Sequence, residues 1–165
     1  MEESTLKYWK DAGHVARRTL EAMKLELTPG KTFHEVIESA ERYIHRHGGK
    51  PAFPGTIAVN DLAAHFTTDH AVNQVEGWDG EMVLQKGDCV KIDFGVHIKG
   101  HIADNALTFE VGNGNEHTEQ IKAAKEARDA AIEMMHPGTP WYKVGQAAAQ
   151  PSLDAGFQPI RNLCG

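Results

Sequence analysis

Two aspartates stand where aspartate is uncommon. Asp93 lies in Val90-Lys91-Ile92-Asp93-Phe94-Gly95-Val96 and Asp104 in His101-Ile102-Ala103-Asp104-Asn105-Ala106-Leu107, both runs with the apolar, β-branched character of strands. Aspartate is depleted from strands, and burying its charge without a partner is costly. A turn at Lys99-Gly100 separates the two runs, so an antiparallel hairpin would bring both side chains to one point, where a divalent cation would neutralise them. Two carboxylates alone make an incomplete site, because metals held for hydrolysis take several protein ligands plus a water. The alternative is that one or both carboxylates point to solvent at strand ends. His65, in Ala63-Ala64-His65-Phe66-Thr67, falls in the same region; by type, a histidine flanked by apolar residues is more often a satisfied core residue than a catalyst.

These residues need elements to position them. From about Thr5 to Leu27 the apolar positions Leu6, Trp9, Val15, Leu20, Met23 and Leu27 recur at roughly helical spacing until Pro29-Gly30 stops them. Thr32 with Glu35 three positions on is a capping-box pattern, and Phe33, Val36, Ile37, Ala40 and Ile44 form one face of a second helix ended by Gly48-Gly49. Between Pro51 and Val111 the period shifts toward two, with strand-like runs at Thr56 to Val59, Val90 to Val96 and Ala103 to Val111. A third helix is expected over about Glu116 to Met135, stopped by Pro137-Gly138, and a fourth from Pro140, shortened or kinked by Pro151.

The chain also matches itself. A gapless shift of 108 residues pairs Ala16 with Ala124, Ala22 with Ala130, Pro29-Gly30 with Pro137-Gly138, Phe33 with Trp141, Val36 with Val144, Ala40 with Ala148, Gly48 with Gly156 and Pro51 with Pro159. Helix, Pro-Gly, helix, Gly, strand thus occurs twice, and self-similarity of this kind fixes architecture. The alternative is two unrelated helix pairs that share common breakers. After its helices the second copy has only Pro159 to Gly165, so a matching sheet segment is expected to be missing.

Composition narrows the partners. With 41% hydrophobic and 24% charged residues in 165, one globular domain is expected. A net charge of −6 gives no basic stripe for a nucleic-acid backbone. Cys89 and Cys164 are too far apart for a zinc-site spacing or a disulfide framework, which suits a reducing cytoplasm. Nothing in the sequence looks like a signal peptide or a membrane span. Of the ten histidines, His45, His47, His70, His117 and His136 have polar neighbours and read as solvated.

Pro51-Ala52-Phe53-Pro54 with Asn60, Ala63-Ala64-His65-Phe66-Thr67, the run Lys91 to Ile98 followed by Asp104, and Pro159-Ile160-Arg161-Asn162-Leu163-Cys164-Gly165 together resemble methionine aminopeptidases of type II, in order and at close to their spacing. The start at a helix resembles archaeal-type members. The resemblance implies an α+β pita-bread fold of two pseudo-symmetric halves, with about 1–111 as the first repeat and about 112–165 as a truncated second. It implies a dinuclear centre of divalent ions (Mn, Fe, Co or Zn) with Asp93 and Asp104 as carboxylate ligands, Asp104 bridging both. It places His65 at the active site, hydrogen-bonding substrate near the scissile peptide, and Phe53 in the methionine side-chain pocket.

The implied reaction is removal of initiator methionine from nascent chains by metal-activated water. The implied protein is cytoplasmic, monomeric at full length, and has no membrane or specific nucleic-acid partner. The family's remaining ligands, a histidine just after the Asn-Leu-x-Gly segment and two glutamates, would follow Gly165, so the chain as given is expected to be inactive. The stretch from Asp69 to Met82 is longer than or different from the usual loop, so the resemblance does not fix the shape of the substrate entrance. Rival readings are a proline-directed peptidase on the same fold, a non-catalytic pita-bread binding protein, and a generic α/β domain with coincidental motifs.

Overall fold

The structure, a computed structural model, describes residues 3–68, 81–112 and 114–160. Helix α1 (Glu3–Glu26) buries Ala12, Val15, Ala16, Thr19, Leu20 and Met23, a stripe at three- and four-residue spacing. Leu6 and Trp9 fit the same apolar pattern but remain half exposed, so the buried stripe starts one turn later than the sequence suggests. The helix ends at Thr28-Pro29-Gly30, where Gly30 takes a φ of 89° that a side chain would resist. Helix α2 (Phe33–Arg46) opens on the expected capping box: the Glu35 amide donates to Thr32 Oγ1 and the Thr32 amide donates to the Glu35 carboxylate. Its buried face is Phe33, Val36, Ile37, Ala40 and Ile44.

The sheet is built around one long strand. Strand β3 (Cys89–Ile98) pairs along its whole length with β4 (His101–Glu110), antiparallel. Its other edge carries β1 (Lys50–Pro51) against Val96 and His97, and then β2 (Thr56–Val59) against Val90 to Asp93. Between those two strands the residues from Ala52 to Gly55 face only Phe94 and Gly95, so the chain bulges outward there. Val90, Ile92, Phe94 and Val96 are buried with Ile57 and Val59 in a core shared with α1 and α2. Each such side chain contributes about 1.5–3 kcal/mol by leaving water. Alternation then obliges Lys91, Asp93, Gly95 and His97 to line the opposite face.

The chain divides into two compact units, residues 1–114 and 115–165. In the second, α3 (Thr118–Met134) packs against α4 (Trp141–Asp154), with Ala123 and Val144 buried. Pro151 does not shorten α4. A proline this late removes a single helical N–H, and the following turn is closed by Ala155 N donating to Pro151 O at 3.1 Å and Phe157 N to Ser152 O at 2.8 Å.

Backbone bonds recur at the spacing of the sequence match. Thr28 N to Glu26 O, Lys31 N to Thr28 O, Gly48 N to His45 O and Gly49 N to Ile44 O have counterparts 108 residues on in His136 to Met134, Thr139 to His136, Gly156 to Leu153 and Phe157 to Ser152. Gly30 and Gly138 have φ of 89° and 87°, and Gly48 and Gly156 have 82° and 83°.

Candidate metal centre

The β3–β4 hairpin turns on two residues. Ile98 pairs with His101 across Lys99-Gly100, whose φ values of 50° and 82° are both left-handed, the combination that matches the twist of flanking strands. That turn sets the register at Asp93 opposite Ala106 and Gly95 opposite Asp104. Paired residues share a face, as do residues two apart on one strand. Asp93 and Asp104 are therefore diagonal neighbours on the face that the core does not use. A one-residue slip of β4 against β3 would carry Asp104 to the core face, while the burial of Ile92 and Phe94 keeps Asp93 on the open one.

Asp93 is half-buried, and its Oδ1 is buried without a hydrogen-bond partner. Burial holds its carboxyl above the ordinary carboxylate range, the nearby Asp104 pushes it further up, and His65 offsets part of this. Two acids crowded together, one with an unpaired buried oxygen, are donors of the kind that can hold a cation.

His65 arrives from the segment after β2. It is exposed rather than a core residue, with a φ of 64°. The next residue, Phe66, is buried edge-on to Phe33 at 6.2 Å between ring centroids, and its carbonyl accepts from Ile57 N at 2.8 Å. Phe53 sits in the bulge between β1 and β2, directly over Gly95: a Cβ at position 95 would lie 2.4 Å from Phe53 Cε1 and 2.9 Å from Ala52 Cβ. Asp93, Asp104, His65 and Phe53 thus gather around one stretch of β3.

Sequence reasoning passes over Gly95; its signal is a glycine in mid-strand, which marks close approach by another group. Cys89 is buried and its thiol is pushed up by that burial, the reverse of an activated nucleophile. Among the described residues no group of three or more His, Cys, Asp or Glu converges as a metal cluster. The Arg161 to Gly165 motif and most of the Asp69 to Met82 stretch lie outside the described residues.

Solved structures share the fold of this α+β chain. Methionine aminopeptidase from Thermotoga maritima superposes with a TM-score of 0.85 at 25% identity, over 98% of this chain and 65% of that one. Prolidase from Pyrococcus furiosus superposes with a TM-score of 0.77 at 25% identity, over 94% of this chain and 44% of that one. The fold is the pita-bread fold. The sequence signature of metallopeptidase family M24 matches residues 7–165, and the chain belongs to that family. Methionine aminopeptidase of Thermococcus onnurineus is 38% identical over 93% of this chain, which spans 49% of that relative's length. No described helix is long and apolar enough to cross a membrane.

Proposed function

We propose that the protein carrying this chain is a methionine aminopeptidase that removes the initiator methionine from nascent chains, with Asp93 and Asp104 as ligands of two divalent ions. The observation that carries the reading is the orphaned Asp93 oxygen beside a second carboxylate. The donors are hard oxygens, which suit Mn, Fe, Co or Zn without choosing among them. The 38% identity to a methionine aminopeptidase supports the substrate. We read residues 1–111 and 112–165 as two copies of one repeat, and the rest of the ion shell as coming from donors beyond this pair.

The chain's own residues have separable tasks in this reading. Asp93 and Asp104, on the open face of β3 and β4, would hold the ions and offset their charge. Phe53, seated on Gly95, offers an apolar wall beside the acids for the thioether side chain. His65 donates to or accepts from the peptide next to the bond that breaks. Bound ions would supply a lowered water pKa and stabilisation of the developing oxyanion.

The test is release of free methionine from a Met-Ala peptide by the protein carrying this chain, with Mn²⁺ or Co²⁺ added. Release that Asp104→Asn abolishes is the expected result. Hydrolysis of Xaa-Pro peptides with no methionine release would move the assignment to a proline-directed peptidase, and turnover unaffected by Asp104→Asn would overturn it.

A further inference from the structure

We propose that Asn60 is the residue that positions His65 beside the carboxylate pair, an inference that rests on the role read for His65 above. The segment from Asn60 to Phe66 leaves the end of β2 and returns to bond that strand, and His65 sits one residue before its return. At the exit, Asn60 is held by four hydrogen bonds to β3 and the turn before it. Its amide donates to Cys89 O at 2.9 Å, its Oδ1 accepts from Cys89 N at 2.9 Å, its Nδ2 donates to Asp88 Oδ1 at 3.0 Å, and its carbonyl accepts from Lys91 Nζ at 3.0 Å. Asp88 is itself fixed, its second oxygen accepting from Gln85 N at 2.7 Å. Leu62 N donates to Val59 O at 3.0 Å and tightens the turn that follows.

Two left-handed residues bracket the segment, Asn60 at φ 52° and His65 at φ 64°. Asparagine visits that region readily, so Asn60 needs no further support. A left-handed residue inside a loop persists when its surroundings over-determine it. For His65 those surroundings are the Phe66 anchor on one side and the Asn60 clamp on the other. Lys91 and Asp93 are two apart on the same face of β3, so the strand that carries the acid also grips the loop that carries the histidine. Asn60 could instead be a turn residue chosen for its φ alone, in which case glycine would serve equally well.

Asn60→Gly separates the two, since glycine keeps the left-handed backbone and removes both side-chain bonds. The readout is the backbone ¹³Cα and ¹³Cβ chemical shifts of His65 in the folded chain, which report a positive φ without metal or turnover. Asn60→Gly is expected to lose the left-handed signature at His65 while the shifts of Ile92 and Phe94 stay in place. The double variant Asn60→Asp with Asp88→Asn, which exchanges donor and acceptor across the pair, is expected to restore it. Should Asn60→Gly fail to fold, Asp88→Asn keeps an oxygen for Gln85 N while setting an amide against Asn60 Nδ2, and is read the same way. A His65 signature unchanged in the variant that folds overturns the proposal, and so does loss that the double variant does not rescue. Failure here leaves methionine release untouched, and failure of methionine release leaves these shifts readable, so the two readings fall separately.

Discussion

Helices α2 and α4 have the same length, the same Pro-Gly entrance and the same hydrogen bonds at their exits, yet opposite surroundings. Phe33 is 1% exposed and its counterpart Trp141 is 77% exposed. Val36 and Val144 are both buried, but α2 adds Ile37, Ala40 and Ile44 to a continuous face against the sheet, whereas α4 buries Val144 alone. Local punctuation therefore builds the helix pair in both places, while packing decides what each pair is worth. Breakers act over one turn, but burial needs a partner layer.

The largest contrast is expected at the paired aromatics. Phe33→Ala should cost about 3–5 kcal/mol in urea unfolding, as a large core deletion does. Trp141→Ala should stay within about 0.5 kcal/mol, the range of surface changes. Equal costs would break the comparison. The two Pro-Gly stops should instead behave alike: neither Gly30 nor Gly138 has an atom within 4 Å of an added Cβ. The penalty for Gly30→Ala and for Gly138→Ala is thus the left-handed backbone itself, about 1–2 kcal/mol in each, read from unfolding of the unit that carries it.

A smaller effect separates the helix starts. Thr32→Ala should cost about 1 kcal/mol by removing the capping box. At the equivalent position Pro140 makes no side-chain cap bond, and Pro140→Ala should lose far less. The smallest effect is that of pH on the cap. The Thr32 backbone amide, then its side chain, hold the Glu35 carboxyl below the usual range. A depressed folded value means the cap helps above the unfolded pKa and is lost as pH falls through the folded one. Unfolding curves of the parent and of Glu35→Gln should therefore differ at neutral pH and converge in acid.

Much of this was legible in the residues, and the boundary of legibility has a physical cause. The capping box, the Pro-Gly stops and the hairpin turn are encoded within four or five positions, and the turn alone places Asp93 and Asp104 on one face. The α+β class was legible in the shift of period between helices and strands, and the pita-bread fold in what the motif resemblance implies. The seat that Gly95 makes for Phe53 and the grip of Asp88 and Cys89 on Asn60 were not, because they join positions 28 to 42 residues apart that no local period records. Nor was the passage of α4 through Pro151, since the bonds that close its last turn come from residues beyond it. His65 was legible as a candidate, whereas its exposure and left-handed backbone depend on the buried Phe66 next to it.

Mn²⁺ titration of this chain followed by electron paramagnetic resonance tests, without requiring catalysis, whether the two hairpin carboxylates share a cation. Weak uptake that falls by about tenfold or more in both Asp93→Asn and Asp104→Asn is the expected result, because each change removes a charged oxygen donor. Uptake identical in the parent and both variants would contradict it.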